Sequence, residues 1–164
     1  MLKLTKKADY GLIAMKHLAD FGAGTSCSAK DIAEAYDIPP EALAKILQRL
    51  VKAGLLASHH GTNGGYALAR SPRAISALEV IKAIDGPLFI TACVTHRGEC
   101  YQSAKCTVRE PLRKVNESIQ QVLGRIAISD MTDEPGPHSE PSPEAEASSG
   151  ELVGELVGIR SLST

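Results

Sequence analysis

The chain has 164 residues and a formal net charge of −1, room for one domain with an added helix or tail. Residues 1–70 carry nine Lys/Arg against six Asp/Glu, residues 71–130 eight against six, and residues 131–164 one against seven, so a mildly basic body that permits a nucleic-acid partner ends in an acidic tail. Lys3, Lys6, Lys7 and Asp9 break any early apolar run, and no stretch nears the roughly 18 apolar residues of a membrane span, which argues against a secretory leader or membrane segment and for a cytoplasmic setting with reduced thiols.

Residues 4–21 read as a helix, with Ala8, Leu12, Met15 and Ala19 on one face. Gly22 and Gly24 stop it. Ser-Ala-Lys-Asp at 28–31 has the spacing of a capping box and opens a second helix that ends near Asp37. Pro39-Pro40 cannot continue that helix, but a proline can begin the next one. Leu43, Ile46, Leu47, Leu50 and Val51 form the apolar stripe of a third helix from about Pro40 to Ala53. Its other face shows Glu41, Lys45, Gln48, Arg49 and Lys52, and Gly54 is the natural residue just past its end.

Residues 55–70, LLASHHGTNGGYALAR, hold two short β-capable runs around a Gly-Thr-Asn-Gly-Gly turn, a hairpin signal. Three helices followed by a glycine-rich hairpin predict a mainly α fold with a small β-hairpin wing, a winged helix-turn-helix. The polar face of helix three suits the major groove of double-stranded DNA. The hairpin tip, His59 to Asn63, would then lie over the backbone or minor groove.

Ser76-Ala-Leu-Glu79 is a second capping box and begins a helix that runs through Ile84 to Gly86-Pro87. Thr107-Val-Arg-Glu110 has the same form and precedes a long helix. There Leu112, Val115, Ile119, Val122 and Ile126 recur at steps of three and four, the narrow seam of a coiled-coil-like dimer contact. The alternative is packing of that helix on its own domain. The expected organisation is a DNA-binding module at 1–72, a linker helix, cysteine loop and dimerisation helix at 73–130, and an acidic, disordered tail at 131–164.

Three of the four cysteines, Cys93, Cys100 and Cys106, fall in the stretch 93–106. Their C-x6-C-x5-C spacing does not match the C-x2-C knuckles of common zinc fingers, and a loop of this kind could wrap a multi-iron cluster. Three thiolates need a fourth ligand, for which His96, Glu99, Asp9 and an external small molecule are candidates. A zinc site completed by His96, a redox thiol switch and incidental loop thiols are the competing readings. Cys27, remote from the others, reads as a small buried residue. The chain lacks a phosphate-binding loop, a catalytic-triad pattern and a C-x2-C motif, so an enzyme is not expected.

Several segments together resemble the bacterial iron–sulfur winged-helix transcriptional regulators, the family of IscR, NsrR and RirA. They are LTKKADYGLIAMKHLA at 4–19, SAKDIAEAYDIP at 28–39, ILQRLVKAGLLASHHGTNGGYALAR at 46–70, SALEVIKAIDGPL at 76–88 and the cysteine triad. The resemblance covers residues 1 to about 130. It implies a homodimeric DNA-binding regulator whose long helix crosses to the partner subunit. It implies DNA contacts from Pro40, Glu41, Lys45 and Arg49 in helix three and from His59, His60, Gly61, Thr62 and Asn63 in the wing. It implies cluster ligation by Cys93, Cys100 and Cys106, and sensing of iron–sulfur status, nitric oxide or oxidant, with cluster-assembly genes the preferred target.

Two departures guide the ligand assignment. IscR is similar but has a histidine where this chain has Arg109, and arginine offers iron no lone pair. The first cysteine spacing is also one residue longer than in IscR. NsrR-like members use an aspartate of the partner's first helix, and Asp9 occupies that position. The resemblance therefore favours a 4Fe-4S over a 2Fe-2S cluster, with Asp9 as leading fourth ligand and His96 as rival. The wing departs too, since His59-His60 stands where many relatives carry an arginine suited to a narrow minor groove.

Overall fold

A computed structural model of the chain describes residues 4–22, 24–61, 64–91, 101–102 and 105–131. The chain divides into two compact units, Met1–Thr132 and Asp133–Thr164. The second, with nearly all of the expected tail, lies outside the described residues.

The first unit is mainly helical, with one two-stranded antiparallel hairpin. Helix α1 spans Lys6–Asp20, α2 Ala29–Ala35 and α3 Pro40–Lys52. Strands β1 (Leu56–His59) and β2 (Gly65–Leu68) pair Leu56 with Leu68 and His59 with Gly65. A 3-10 turn at Pro72–Ala74 leads to α4, Ala77–Asp85. Helix α5 runs from Arg109 to Arg125, and a last 3-10 turn covers Ile128–Met131.

The third helix follows its sequence pattern closely. Leu43, Ile46, Leu47 and Leu50 are buried, and Gly54 takes a left-handed φ of 71° just past the C-cap Ala53, where a β-carbon would be strained. Helix α1 is turned slightly from expectation. Its buried face is Ala8, Gly11, Ala14, Met15 and Leu18, while Leu12 and Ala19 pack only partly buried at the core margin. The reason is Gly11, where a β-carbon would lie 2.1 Å from Ile84 Cδ1. The bare helix surface lets α4 approach, and the inward face centres on that contact.

Capping is uneven. Ser28 accepts from the Asp31 N–H at 3.1 Å, and α2 ends at Ala35, two residues before Asp37, which itself adopts φ 51°. The Ser76–Glu79 box forms in both directions, at 3.3 Å and 2.9 Å. The box expected at Thr107 is absent: Val108 is the N-cap, without a side-chain hydrogen bond. Glu110 is drawn instead to the Arg113 guanidinium one turn on.

Module and linker share one core. Ile75, Val80 and Ile84 pack with Met15, Leu18, Leu47 and Leu50, and Ile128 closes the cluster at 0% exposure. The chain after α5 is tied to the start of α4 by Ala77 N–H to the Ile126 carbonyl and Ile128 N–H to the Ile75 carbonyl, both 2.9 Å. Ile126, read as the last member of the seam, is thereby pulled to the body, half-buried.

Glu79 also accepts from Arg70 at 2.8 Å. That guanidinium, with the Ser76 backbone N–H, holds the Glu79 carboxyl below its ordinary range. A depressed folded-state value gives stability that is full above the unfolded carboxylate pKa and is lost as pH falls through the folded one. Glu79→Gln should therefore cost about 1 kcal/mol near neutral pH, kept modest by solvent screening of a part-exposed pair. The gap to the parent should narrow below about pH 4.3, as denaturant titrations across pH will show.

Candidate nucleic-acid interface and cysteine segment

Burial of Leu43, Ile46, Leu47 and Leu50 turns the opposite face of α3 outward, and Pro40, Glu41, Lys45, Gln48, Arg49 and Lys52 are all exposed. Helix α3 is flanked by two shallow grooves. One, of about 370 Å³, is lined by Lys7 of α1 and by Pro39, Glu41, Lys45 and Arg49. The other, of about 290 Å³, lies toward the hairpin and is lined by Gln48, Lys52, Ser58, His60 and Tyr66. Basic side chains thus border α3 on both flanks. Lys7, not singled out from the sequence, joins the first groove from a different helix, and no local motif predicts that.

The hairpin is anchored beside α3 by an isolated antiparallel bridge from Cys27, just before α2, to Tyr66. Cys27 N–H donates to the Tyr66 carbonyl at 3.0 Å, and Tyr66 N–H to the Cys27 carbonyl at 2.9 Å. Gly65 is required at this crossing, because a β-carbon there would sit 2.5 Å from the Cys27 carbonyl oxygen. Cys27 is buried, as expected, and burial pushes its thiol pKa up, which makes it a poor nucleophile. At the wing tip His59, His60 and Gly61 are exposed. Thr62 and Asn63 lie outside the described residues.

Arg49 has a second engagement. Its guanidinium donates to the Ile84 carbonyl oxygen at the end of α4, at 2.6 Å. A guanidinium carries five donors in a fixed fork, so this bond and a phosphate contact are compatible.

Cys93, His96 and Cys100 lie outside the described residues. Cys106 is partly buried, three residues before α5 begins. Asp9 is exposed in the first turn of α1, so its carboxylate is available to a group outside its own subunit. A set of three thiolates suits an iron–sulfur cluster chemically, and exposure of Asp9 is compatible with a fourth ligand from a second copy. Among the described residues no three His, Cys, Asp or Glu side chains converge as a metal site.

The segment leading to the cysteines is held by α5. Asn116 Oδ1 accepts from the Ile90 N–H at 3.1 Å, and Gln120 Nε2 donates to the Leu88 carbonyl at 3.0 Å. Asn116 is the one buried polar residue among the described residues, at 3% exposure. The sequence signal for this pair is faint: two amides four apart, bordering the apolar seam at Leu112 and Ile119.

The model of the Rrf2 family of iron-dependent transcriptional regulators matches residues 4–134. The chain belongs to the Rrf2 family. Rrf2 members are transcriptional regulators rather than enzymes, and the winged hairpin beside a helix-turn-helix is their architecture. A helix-turn-helix-type transcriptional regulator of Mycobacterium tuberculosis is 33% identical over 130 residues, 79% of this chain and 81% of that one. An Rrf2-like regulator of Rhodobacter capsulatus is 32% identical over 136 residues, 78% and 91%. Among solved structures, CymR, the global cysteine regulator of B. subtilis, superposes with a TM-score of 0.68 at 29% identity, covering 79% of this chain and 95% of that one. T. potens IscR superposes at 0.63 with 33% identity, covering 79% and 85%. Among the described residues of this Rrf2 chain, no helix is long and apolar enough to cross a membrane.

Proposed function

We propose that this Rrf2 regulator is a cytoplasmic homodimer that reads an operator with α3 and the wing and answers to an iron–sulfur cluster held by Cys93, Cys100 and Cys106. The observation that carries the DNA reading is the placement of α3 between two grooves bordered by Lys7, Lys45, Arg49, Lys52 and His60. Lys7 and Lys45 come from different helices, so both can grip phosphate while Glu41 and Gln48 face base edges. His59, His60, Gly61, Thr62 and Asn63 would follow the adjacent backbone or minor groove.

Dimerisation is supported by the outer face of α5. Val115 and Val122 are 49% and 57% exposed, and Leu4, Leu88, Ile119 and Leu123 line an apolar groove of about 410 Å³ beside them. A second copy of α5 laid along this face would bury both, and would bring its own Asp9 as fourth ligand, with His96 the rival. A 4Fe-4S cluster is favoured over 2Fe-2S, and zinc at the same thiols is the competing assignment. When bound, such a cluster supplies sensitivity to iron supply, nitric oxide or oxidant. The residues of the chain hold it between α4 and α5 and so set how the two DNA-reading heads are presented. Genes of iron–sulfur assembly are the preferred targets.

Duplex titrations at rising salt test the DNA reading. Binding should weaken steeply with salt, since each neutralised phosphate releases counterions. Lys45→Ala should lower affinity about equally for all sequences and reduce the salt slope by about one. A chain that ignores duplex DNA at low salt would overturn the reading.

A further inference from the structure

Residues 84–90, the last two residues of α4 and the strip that leads on toward the cysteine segment, are gripped by three separate elements. Arg49 of α3 donates to the Ile84 carbonyl at 2.6 Å. Thr5, the N-cap of α1, donates to both oxygens of Asp85 at 2.8 Å. From α5, Gln120 donates to the Leu88 carbonyl and Asn116 accepts from the Ile90 N–H. The last carbonyls of a helix and the irregular backbone beyond it lack helical partners, and side chains supply them here for Ile84, Leu88 and Ile90.

The chemistry of these grips is informative. A buried amide is unfavourable unless hydrogen-bonded, so moving the Ile90 N–H away would remove a partner from Asn116 Oδ1 at 3% exposure. The Arg49 bond is short and charge-assisted, hence directional. Ile84 cannot slide to relieve either end, because its side chain is seated against Gly11 of α1 at a distance that admits no β-carbon. Ile90 lies three residues before Cys93, and α5 begins three residues after Cys106. Both exits of the cysteine segment are therefore joined by Asn116, and the far end of the strip rests on the recognition helix.

We propose that residues 84–90 form a mechanical link from the cysteine segment to α3, with Asn116 and Gln120 as positioning residues at one end and Arg49 at the other. The proposal rests on the regulatory reading above. It assigns Arg49 a task beyond phosphate contact and gives a function to two amides that touch no DNA-facing surface.

A double-mutant cycle on the full-length chain tests it. Asn116→Ala should weaken duplex binding about three- to ten-fold, with the oligomeric state unchanged in sedimentation. In an Arg49→Lys background the same substitution should change affinity by less than about two-fold, because the link is already cut. Should Asn116→Ala fail to fold, the half-buried Gln120→Ala completes the same cycle. Effects that simply multiply would overturn the link. Amide hydrogen exchange supplies a readout independent of DNA: Asn116→Ala, or its Gln120→Ala substitute, should speed exchange in residues 49–53. If the parent chain bound no duplex, the DNA reading would fall, yet unchanged protection at 49–53 would still decide against the link and faster exchange for it.

Discussion

In the proposed homodimer, Val122→Asp is expected to separate the two copies and to weaken operator binding by about 100-fold or more, the factor lost when two tethered contacts become one. Val122 is 57% exposed on α5, with Val115 one face-repeat earlier and an apolar groove of about 410 Å³ alongside. In a homodimer the substitution acts twice, since a two-fold contact brings each copy's residue into the same interface. Placing a carboxylate in such a contact without a partner costs several kcal/mol. Arg125, three residues on, is the neighbouring cation on α5, and an i,i+3 helix pair offsets only a few tenths of a kcal/mol of that cost. Sedimentation velocity checks the first half and duplex titration the second. A Val122→Asp chain that remained dimeric would place the contact elsewhere on the surface.

Gly65→Ala should carry the next largest effect, a loss of about 2–3 kcal/mol, at the upper end for overpacking. The added carbon would meet the Cys27 carbonyl oxygen at 2.5 Å and its carbon at 2.8 Å. These are backbone atoms, and they cannot retreat without breaking the Cys27–Tyr66 hydrogen bonds that hold the wing beside α3. The expected consequence is twofold: lower stability in denaturant titrations, and weaker DNA binding because the wing is displaced. Gly124→Ala in α5 is the contrasting control. Its β-carbon would find only Leu78 Cδ2 at an ordinary 3.7 Å, so higher helix propensity should make it neutral or stabilising by up to about 1 kcal/mol. Equal losses at both positions would show that the crossing at Cys27 is not what Gly65 protects.

These two glycines also mark how far local pattern reaches. The stripe of α3, the stop at Gly54, the hairpin turn and the Ser76–Glu79 box were all legible, because each depends on residues within one or two helical turns. Thr107-Val-Arg-Glu110 has the same spacing as the Ser76 box, yet Glu110 is taken by Arg113. Spacing specifies that a box can form, and the competing partner on the next turn decides whether it does. The buried face of α1 was misread by about one residue because Gly11 carries no hydrophobic signal, although its smallness is what seats Ile84. Lys7, Asn116, Gln120 and the closing contact of Ile128 depend on elements far apart in the chain, and periodicity within one segment carries no information about them. The family resemblance supplied what periodicity could not, membership of a family of transcriptional regulators, which the family match over residues 4–134 bears out.

The most direct test of the central claim is an iron and labile-sulfide count on the anaerobically purified chain, with its visible absorption spectrum, followed by duplex titration with and without the cluster. The account predicts bound iron and sulfide, loss of the visible absorbance in Cys100→Ala with helical content retained, and a change in duplex affinity when the cluster is removed. A colourless protein holding neither iron nor sulfide after reconstitution would contradict it, and zinc in their place would transfer the three thiolates to the competing assignment.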